Sequence, residues 1–248
     1  MNNNHFTILI PSFNSQAWAE KSLKSVFSQR YNNFDIYYID DHSSDNTREV
    51  VERLFETLDF SGQNKTFVHN SFNKGKMSNV FYAMKELRDD TVVVMLDGDD
   101  WLHDENVLSF LNEAYDEDTW MTCGSYVTIP HGDIVKPNLA YDYWDGDIRK
   151  RNWEFSHLGT FRKALFDNIK KKDFMNKTGQ FFSTTSDQAI MWPMAEMSGP
   201  EHFKAIEKVL YCYNLRNPIS DHVAHRSDQL LTEHDIRNRK PYDRKEVL

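Results

Sequence analysis

The order of apolar segments predicts an α/β protein: a mostly parallel central sheet flanked by helices, then a smaller second half. Two observations carry this. Short apolar runs alternate with amphipathic stretches through the first 127 residues. Polar residues collect where each apolar run ends, and open parallel sheets bind their ligands beyond the carboxyl ends of their strands.

The elements follow in order. Phe6-Thr7-Ile8-Leu9-Ile10 reads as a buried strand stopped by Pro11. Residues 17–29 read as a helix with Leu23, Val26 and Phe27 on one face. Residues 34–39 form the next strand, and 46–58 a helix with Val50, Val51, Leu54, Phe55 and Leu58 at three-and-four spacing. Thr66-Phe67-Val68 is a short strand, 77–87 a helix, and 91–96 a strongly β-branched strand. A helix over 104–115 and a strand over 120–127 complete the pattern. One helix between successive strands implies right-handed crossovers and parallel pairing.

The second half is less regular. Residues 136–155 are aromatic and charged, with a strand expected over 156–161 and a helix over 163–169. Lys170-Lys171-Lys172 reads as a solvated helix end, 186–197 as a helix and 206–213 as a strand. After Ser220 the chain is polar, and it is expected to be ordered only if it docks on the body. The expected divisions are 1–127, 128–220 and a tail over 221–248, within one continuous domain.

Composition excludes several classes. The chain has 248 residues, a net charge of −9, and 40% hydrophobic and 14% aromatic residues, so a sizeable core forms and global disorder is excluded. The acid balance argues against a basic nucleic-acid groove, but not against a phosphate ligand held through a metal. Cys123 and Cys212 are too few for a disulfide framework, and read as buried free thiols in a reducing compartment. No apolar run approaches the roughly 18 residues of a membrane span. The first residues show no signal peptide, so a cytoplasmic location is expected, and the sequons at Asn64 and Asn176 read as chance matches. Of the acids, 24 are Asp and 14 Glu, a bias toward caps, turns and ligand loops.

The loops leaving the strands carry those aspartates. Asp97-Gly98-Asp99 follows a hydrophobic strand directly. Two carboxylates one residue apart can approach a single hard cation, with Gly98 allowing a tight turn. Mg²⁺ and Mn²⁺ accept one or two protein carboxylates while substrate phosphates complete the shell. Asp40-Asp41 ends the second strand. Asp45 or Ser44 can cap the following helix, whereas an acid at the strand tip can accept an N–H from a ligand base.

Four blocks together resemble the signature of family 2 glycosyltransferases: Ile8-Leu9-Ile10-Pro11-Ser12-Phe13-Asn14, Ile39-Asp40-Asp41-His42-Ser43-Ser44-Asp45-Asn46-Thr47, Asn73-Lys74-Gly75-Lys76, and Leu96-Asp97-Gly98-Asp99-Asp100-Trp101-Leu102. The resemblance is dense over residues 5–125 and thinner to about 220. It implies a GT-A fold and inverting transfer from a nucleotide-sugar, usually a UDP-sugar, with Mn²⁺ or Mg²⁺, to a carbohydrate acceptor. By that likeness Pro11, Phe13 and Asn14 line the nucleotide pocket, Asp41 faces the base, and Lys74 or Lys76 lies near the base or phosphates. Asp97 and Gly98 approach the ribose, and Asp99 the metal, with Asp100 a second metal candidate.

The family places an acid at a helix start in the second half, where this chain has Thr185-Ser186-Asp187-Gln188. Asp187 is therefore the expected general base; the other reading is a helix cap. His157 approaches the donor or is a structural histidine. Tyr213-Asn214-Leu215-Arg216-Asn217-Pro218-Ile219-Ser220 resembles the family's closing block, and Arg216, His222 and His225 are candidates to cover the diphosphate, with His222 the tail's metal candidate. Trp144, Trp153 and Trp192 stack on sugars or pack in the core. Processive relatives carry Gln-x-x-Arg-Trp, whereas Gln188-Ala189-Ile190-Met191-Trp192 has Met in the Arg position, so one sugar per encounter is expected. Six aspartates, Asp40, Asp41, Asp97, Asp99, Asp100 and Asp187, are expected to face one cleft.

Two other readings remain. A nucleotidyltransferase needs a Gly-rich, Arg-containing loop after the first strand, which Pro11-Ser12-Phe13-Asn14 does not supply. A non-enzymatic module, receiver-like or a degenerate transferase, would share the acidic pocket, but a receiver domain leaves the second half unexplained.

Overall fold

A computed structural model describes residues 3–58, 63–139, 142–155, 157–219 and 226–248. Its first half follows the expected alternation: β1 (Phe6–Ser12), α1 (Gln16–Phe27), β2 (Phe34–Asp40), α2 (Thr47–Thr57), β3 (Lys65–His69), α3 (Lys76–Ala83) and β4 (Val92–Met95). β1 pairs in parallel with β2 and with β4, and β2 with β3. The strands alternate between two cores. Phe6, Ile8 and Ile10 pack with Leu23, Val26, Val51 and Leu54 on one face, while Leu9 and Val93 turn to the other, with Met77, Val80 and Met84. Burial on both faces explains the solid apolar runs.

Beyond β4 come β5 (Trp101–Leu102), α4 (Val107–Ala114), β6 (Met121–Ile129), β7 (Ile134–Val135), β8 (Gly159–Arg162), α5 (Lys163–Asp167), α6 (Ser186–Ser198), β9 (Phe203–Asn214) and α7 (Arg226–Arg237). Among the described residues the sheet runs β3-β2-β1-β4-β8-β6-β9-β5, with β7 on β6. β8 pairs antiparallel with β4 and with β6, so β6 runs parallel to β4 one position away. β9 is parallel to β6, whereas β5 and β7 are antiparallel edges. Six of the nine described strands thus run in one direction, with β5, β7 and β8 opposed. The crossover from β4 to β6 leaves a gap that β8 fills later in the chain, and β6 runs across the expected division at 127.

Helix α6 is buried almost throughout, with Trp192 wholly enclosed, so Trp192 belongs to the core. The polar tail docks. Arg149 Nη1 donates to the Ile236 carbonyl at 2.8 Å, and Arg237 to the carbonyls of Arg149 and Arg151. The Tyr242 amide donates to Glu196 at 2.9 Å, and the Lys245 amide to Met197 at 2.9 Å. Cys123 and Cys212 are buried and unpaired among the described residues. No helix there is long and apolar enough to cross a membrane.

Candidate active site

The carboxyl ends of β1, β2 and β4 open into one cavity of about 580 Å³, closed on the far side by the start of α6 and by α7. Pro11 and Ser12 lie at its floor, with Phe13 43% exposed at its edge. Asn14 stands outside the lining with φ 49°, and its amide oxygen accepts from the Ser44 amide at 2.8 Å. It therefore braces the β1 exit against the β2 exit. Gly98 approaches Ser12 so closely that a Cβ would lie 2.5 Å from the Ser12 Cβ. Only glycine lets the two strand exits meet there.

The two acids ending β2 take different places. Asp41 lines the cavity, its Oδ1 accepting from Asn70 Nδ2 at 2.8 Å and the Lys74 amide at 2.9 Å, and its Oδ2 from the Gly75 amide at 2.8 Å. It fixes the loop after β3. Asp40 does not face the cleft. It is fully buried, accepting from the Ser43 hydroxyl and lying 2.6 Å from His69 Nδ1. Residue type alone does not reveal that partner, because His69 comes from the neighbouring strand. Lys74 also stands outside the lining, its ammonium 5.8 Å from the Phe72 ring, whereas Lys76 is inside.

After β4 the acids crowd together. Lys76 Nζ lies 2.5 Å from Asp97 Oδ1. Burial alone would raise the Asp97 carboxyl, but Lys76 and His157 bring it below the usual range. Asp99 is pushed above that range by burial and by the Asp97 charge, while its Oδ2 accepts from Asn217 Nδ2 at 2.7 Å. Asp100 rises well above it by burial and by Asp99 and Asp97. Both its oxygens are engaged, Oδ2 by the Tyr211 hydroxyl at 2.5 Å and Oδ1 by the Asn214 amide at 2.7 Å. Asn214 and Asn217 belong to the block resembling the family's closing segment but were given no role there, and Tyr211 had no signal of its own in the sequence. They arrive because β9 runs alongside β5 and carries its end to the Asp cluster.

The second half supplies Asp187, His157 and Trp153 to the cavity. Asp187 sits in the first turn of α6 and lines the cavity with its side chain exposed, unlike the rest of that buried helix. Loss of bulk water pushes its carboxyl upward, with Lys76, the Gln188 amide and His157 opposing. His157 stacks on Tyr211 with ring centres 4.6 Å apart, and on Tyr213 at 5.2 Å. Burial lowers its affinity for a proton despite Asp97 nearby. Arg216 is exposed and outside the lining, while Arg226, Gln229 and Glu233 of α7 belong to it. His222 and His225 lie outside the described residues, as does Ser156. Among the described residues no three His, Cys, Asp or Glu side chains gather as a ready metal cage.

A family model described as glycosyl transferase family 2 matches residues 7–182, which carry the cavity floor from Pro11 through Asp99. The chain belongs to glycosyl transferase family 2. It is 27% identical over 179 residues to a GalNAc(5)-diNAcBac-PP-undecaprenol beta-1,3-glucosyltransferase of Campylobacter jejuni, covering 71% of this chain and 50% of that one. It is 29% identical over 135 residues to the UDP-Glc:alpha-D-GlcNAc-diphosphoundecaprenol beta-1,3-glucosyltransferase WfgD of Escherichia coli, covering 54% and 50%. The chain thus spans half the length of these two relatives. Among solved structures, Staphylococcus aureus TarS 1-349 in complex with UDP-GlcNAc superposes with a TM-score of 0.69 at 16% identity, over 94% of this chain and 65% of that one. The mannosyltransferase PcManGT of Pyrobaculum calidifontis, in complex with GDP-Man and Mn²⁺, superposes at 0.60 and 17% identity, over 96% and 66%. The fold is the expected GT-A fold.

Proposed function

We propose that this protein moves one sugar per encounter from a nucleotide-sugar, a UDP-sugar, to a hydroxyl of a glycan acceptor, with inversion. The observation that carries the reading is the shared cavity: Asp187 from α6 stands within electrostatic reach of Lys76 and Asp97 from the nucleotide side. An acceptor oxygen attacks the sugar C1 while the C1–O bond to the diphosphate breaks on the opposite face. Asp187 takes the hydroxyl proton as the new C1–O bond forms. Its raised proton affinity suits that task, because a base is most effective with a pKa nearer the working pH. Lys76 would meet the phosphates, and Asp41, through the Lys74-Gly75 amides, would shape the base end.

A divalent ion fits the donor set. Asp99 presents hard oxygens beside Asp97, and burial and the Asp97 charge push its carboxyl upward, a strain that a cation would relieve. Asp100 is the weaker candidate, since protein donors already occupy both its oxygens. Mn²⁺ or Mg²⁺ held there would neutralise the departing diphosphate. The TarS complex supports a UDP donor. The names of the Campylobacter and Escherichia relatives support a carbohydrate acceptor. A nucleotidyltransferase would need the Gly-rich, Arg-containing loop that Pro11-Ser12-Phe13-Asn14 does not provide. The free buried thiols accord with a cytoplasmic location.

Calorimetric titration with UDP, with and without Mn²⁺, tests this reading. Mn²⁺ is expected to tighten UDP binding, Asp99→Ala to abolish that gain, and Asp187→Asn to keep UDP binding while cutting sugar release at least about 100-fold. UDP affinity indifferent to Mn²⁺ would overturn the metal site, and an Asp187→Asn protein with full turnover would overturn the base.

A further inference from the structure

The lysine run 170–172 has a use that the transfer reading leaves unexplained. Lys171–Phe174 forms a 3₁₀ turn that brings the run beside Lys177 and the docked tail. Together Lys170, Lys172, Lys177, Arg239 and Lys240 border a second cavity of about 420 Å³. Two acids line it. Asp173 is taken up by the Tyr242 hydroxyl at 2.5 Å and by Arg239 at 3.7 Å. Asp243 alone faces the four lysines, none of which has an ion-pair partner among the described residues. Elsewhere lysines commonly pair, as Lys24 does with Glu20, Lys136 with Glu207 and Lys204 with Asp116.

Aromatic surface continues the patch. Lys171 Nζ stands 5.7 Å from the Tyr82 ring and 5.6 Å from the Phe181 ring, and Tyr82 is 52% exposed. Lysines with an exposed tyrosine suit the boundary between water and lipid headgroups, where the ring has one apolar and one polar end. The net charge of −9 does not forbid this. Screening over about 8–10 Å makes a surface respond to its local charge, not to the sum.

We propose that this basic face docks the protein on an anionic phospholipid surface, with the four lysines meeting headgroup phosphates. The cavity it borders lies beside the catalytic one. Ser183 and Thr185 line the catalytic cavity and Lys177 the basic one, while α7 runs from Arg226 at the catalytic cavity toward Arg239 at the other. A membrane held there would meet the protein on the side where residues 177–185 and α7 connect the two cavities. The docking surface shares no side chain with the transfer site, so the two readings fail separately.

Sedimentation with vesicles of phosphatidylcholine, alone or with about one third phosphatidylglycerol, tests it on the full chain. Binding is expected only to the anionic vesicles, and to weaken with salt. Each lysine contributes about fivefold, so combining Lys170→Gln, Lys172→Gln, Lys177→Gln and Lys240→Gln should weaken binding at least about 100-fold. A control with Lys24→Gln, Lys136→Gln, Lys150→Gln and Lys208→Gln loses the same charge and should still bind. UDP affinity should not change in either variant, which reports an intact fold. Equal binding to both vesicles, no binding, or an equal loss in both variants would overturn the proposal. So would thermal stabilisation by inorganic diphosphate, or capture of an oligonucleotide, that needs the four lysines while vesicles go unbound.

Discussion

Replacing Glu196 with alanine strands a buried guanidinium. Arg149 and Glu196 side chains are 2% and 5% exposed. Glu196 Oε1 accepts from Arg149 Nε at 2.5 Å, and Oε2 from Nη2 at 2.8 Å and from the Tyr242 amide at 2.9 Å. Without the carboxylate, the Arg149 guanidinium keeps, among the described residues, only its bond to the Ile236 carbonyl at 2.8 Å. An uncompensated buried charge costs about 3–5 kcal/mol. At about 2–4 °C per kcal/mol for a chain of this size, Tm should fall by roughly 6–20 °C. Burial outweighs Arg149 and pushes the Glu196 carboxyl up, so ionising it opposes folding. The sign follows: its contribution to stability is present below the ordinary value of 4.5 and is lost as pH rises through the raised value. The pair therefore specifies tail docking more than it stabilises, and Arg149→Met with Glu196→Leu should recover most of the loss. Urea unfolding of the four proteins supplies the cycle, and trypsin cleavage within 226–248 reports release of the tail. A Glu196→Ala cost below about 1 kcal/mol, or a double variant worse than either single, would refute the reasoning.

Three further outcomes are expected. Gly98→Ala places a methyl 2.5 Å from Ser12 and should cost about 1–3 kcal/mol and weaken UDP binding, with Ser12→Gly restoring part of both in calorimetry. Asp41→Ala removes the acceptor of three hydrogen bonds and frees the Lys74-Gly75 loop. At about 1.5–3 kcal/mol for a bond to a charged group, UDP affinity should drop at least about tenfold. Turnover should fall on the acid side as pH drops through the raised Asp187 value, because the base must be ionised, and the limb should vanish in Asp187→Asn.

The first-half side of the cavity was legible because its polar residues are contiguous with the strand ends. Pro11, Asp41, Lys76, Asp97 and Asp99 each follow an apolar strand within a few residues, and parallel pairing brings the strand ends together. Asp40 was misread because its burial depends on His69 of the adjacent strand, a partner 29 residues away. Tyr211, and the roles of Asn214 and Asn217 within the closing block, were missed because these residues reach Asp99 and Asp100 across 111 to 118 residues. They do so through β5, a strand of two residues that carries no periodicity. The tail's docking rests on Arg149 and Glu196, 47 residues apart, and a lone charged pair at that distance leaves no pattern to read.

The same donors narrow the demand for a cation. Taken as a composition, the excess of aspartate suggests a cleft full of unmet charge. Side chain by side chain, most of it is met: Asp40 by Ser43 and His69, Asp41 by Asn70 and two amides, Asp97 by Lys76, and Asp100 by Tyr211 and Asn214. An acid supplied with protein donors gains little from a metal and would lose those bonds to bind one. Asp99 differs, for burial and the charge of Asp97 beside it push its carboxyl upward against the neutral amide of Asn217. Asp187 is also raised, but by loss of water near Lys76 and His157, which suits a group that takes a proton. On the proposed reading the acid cluster would divide into a scaffold, one place for a cation and one for a base, and hydrogen-bond satisfaction, more than charge count, would tell them apart.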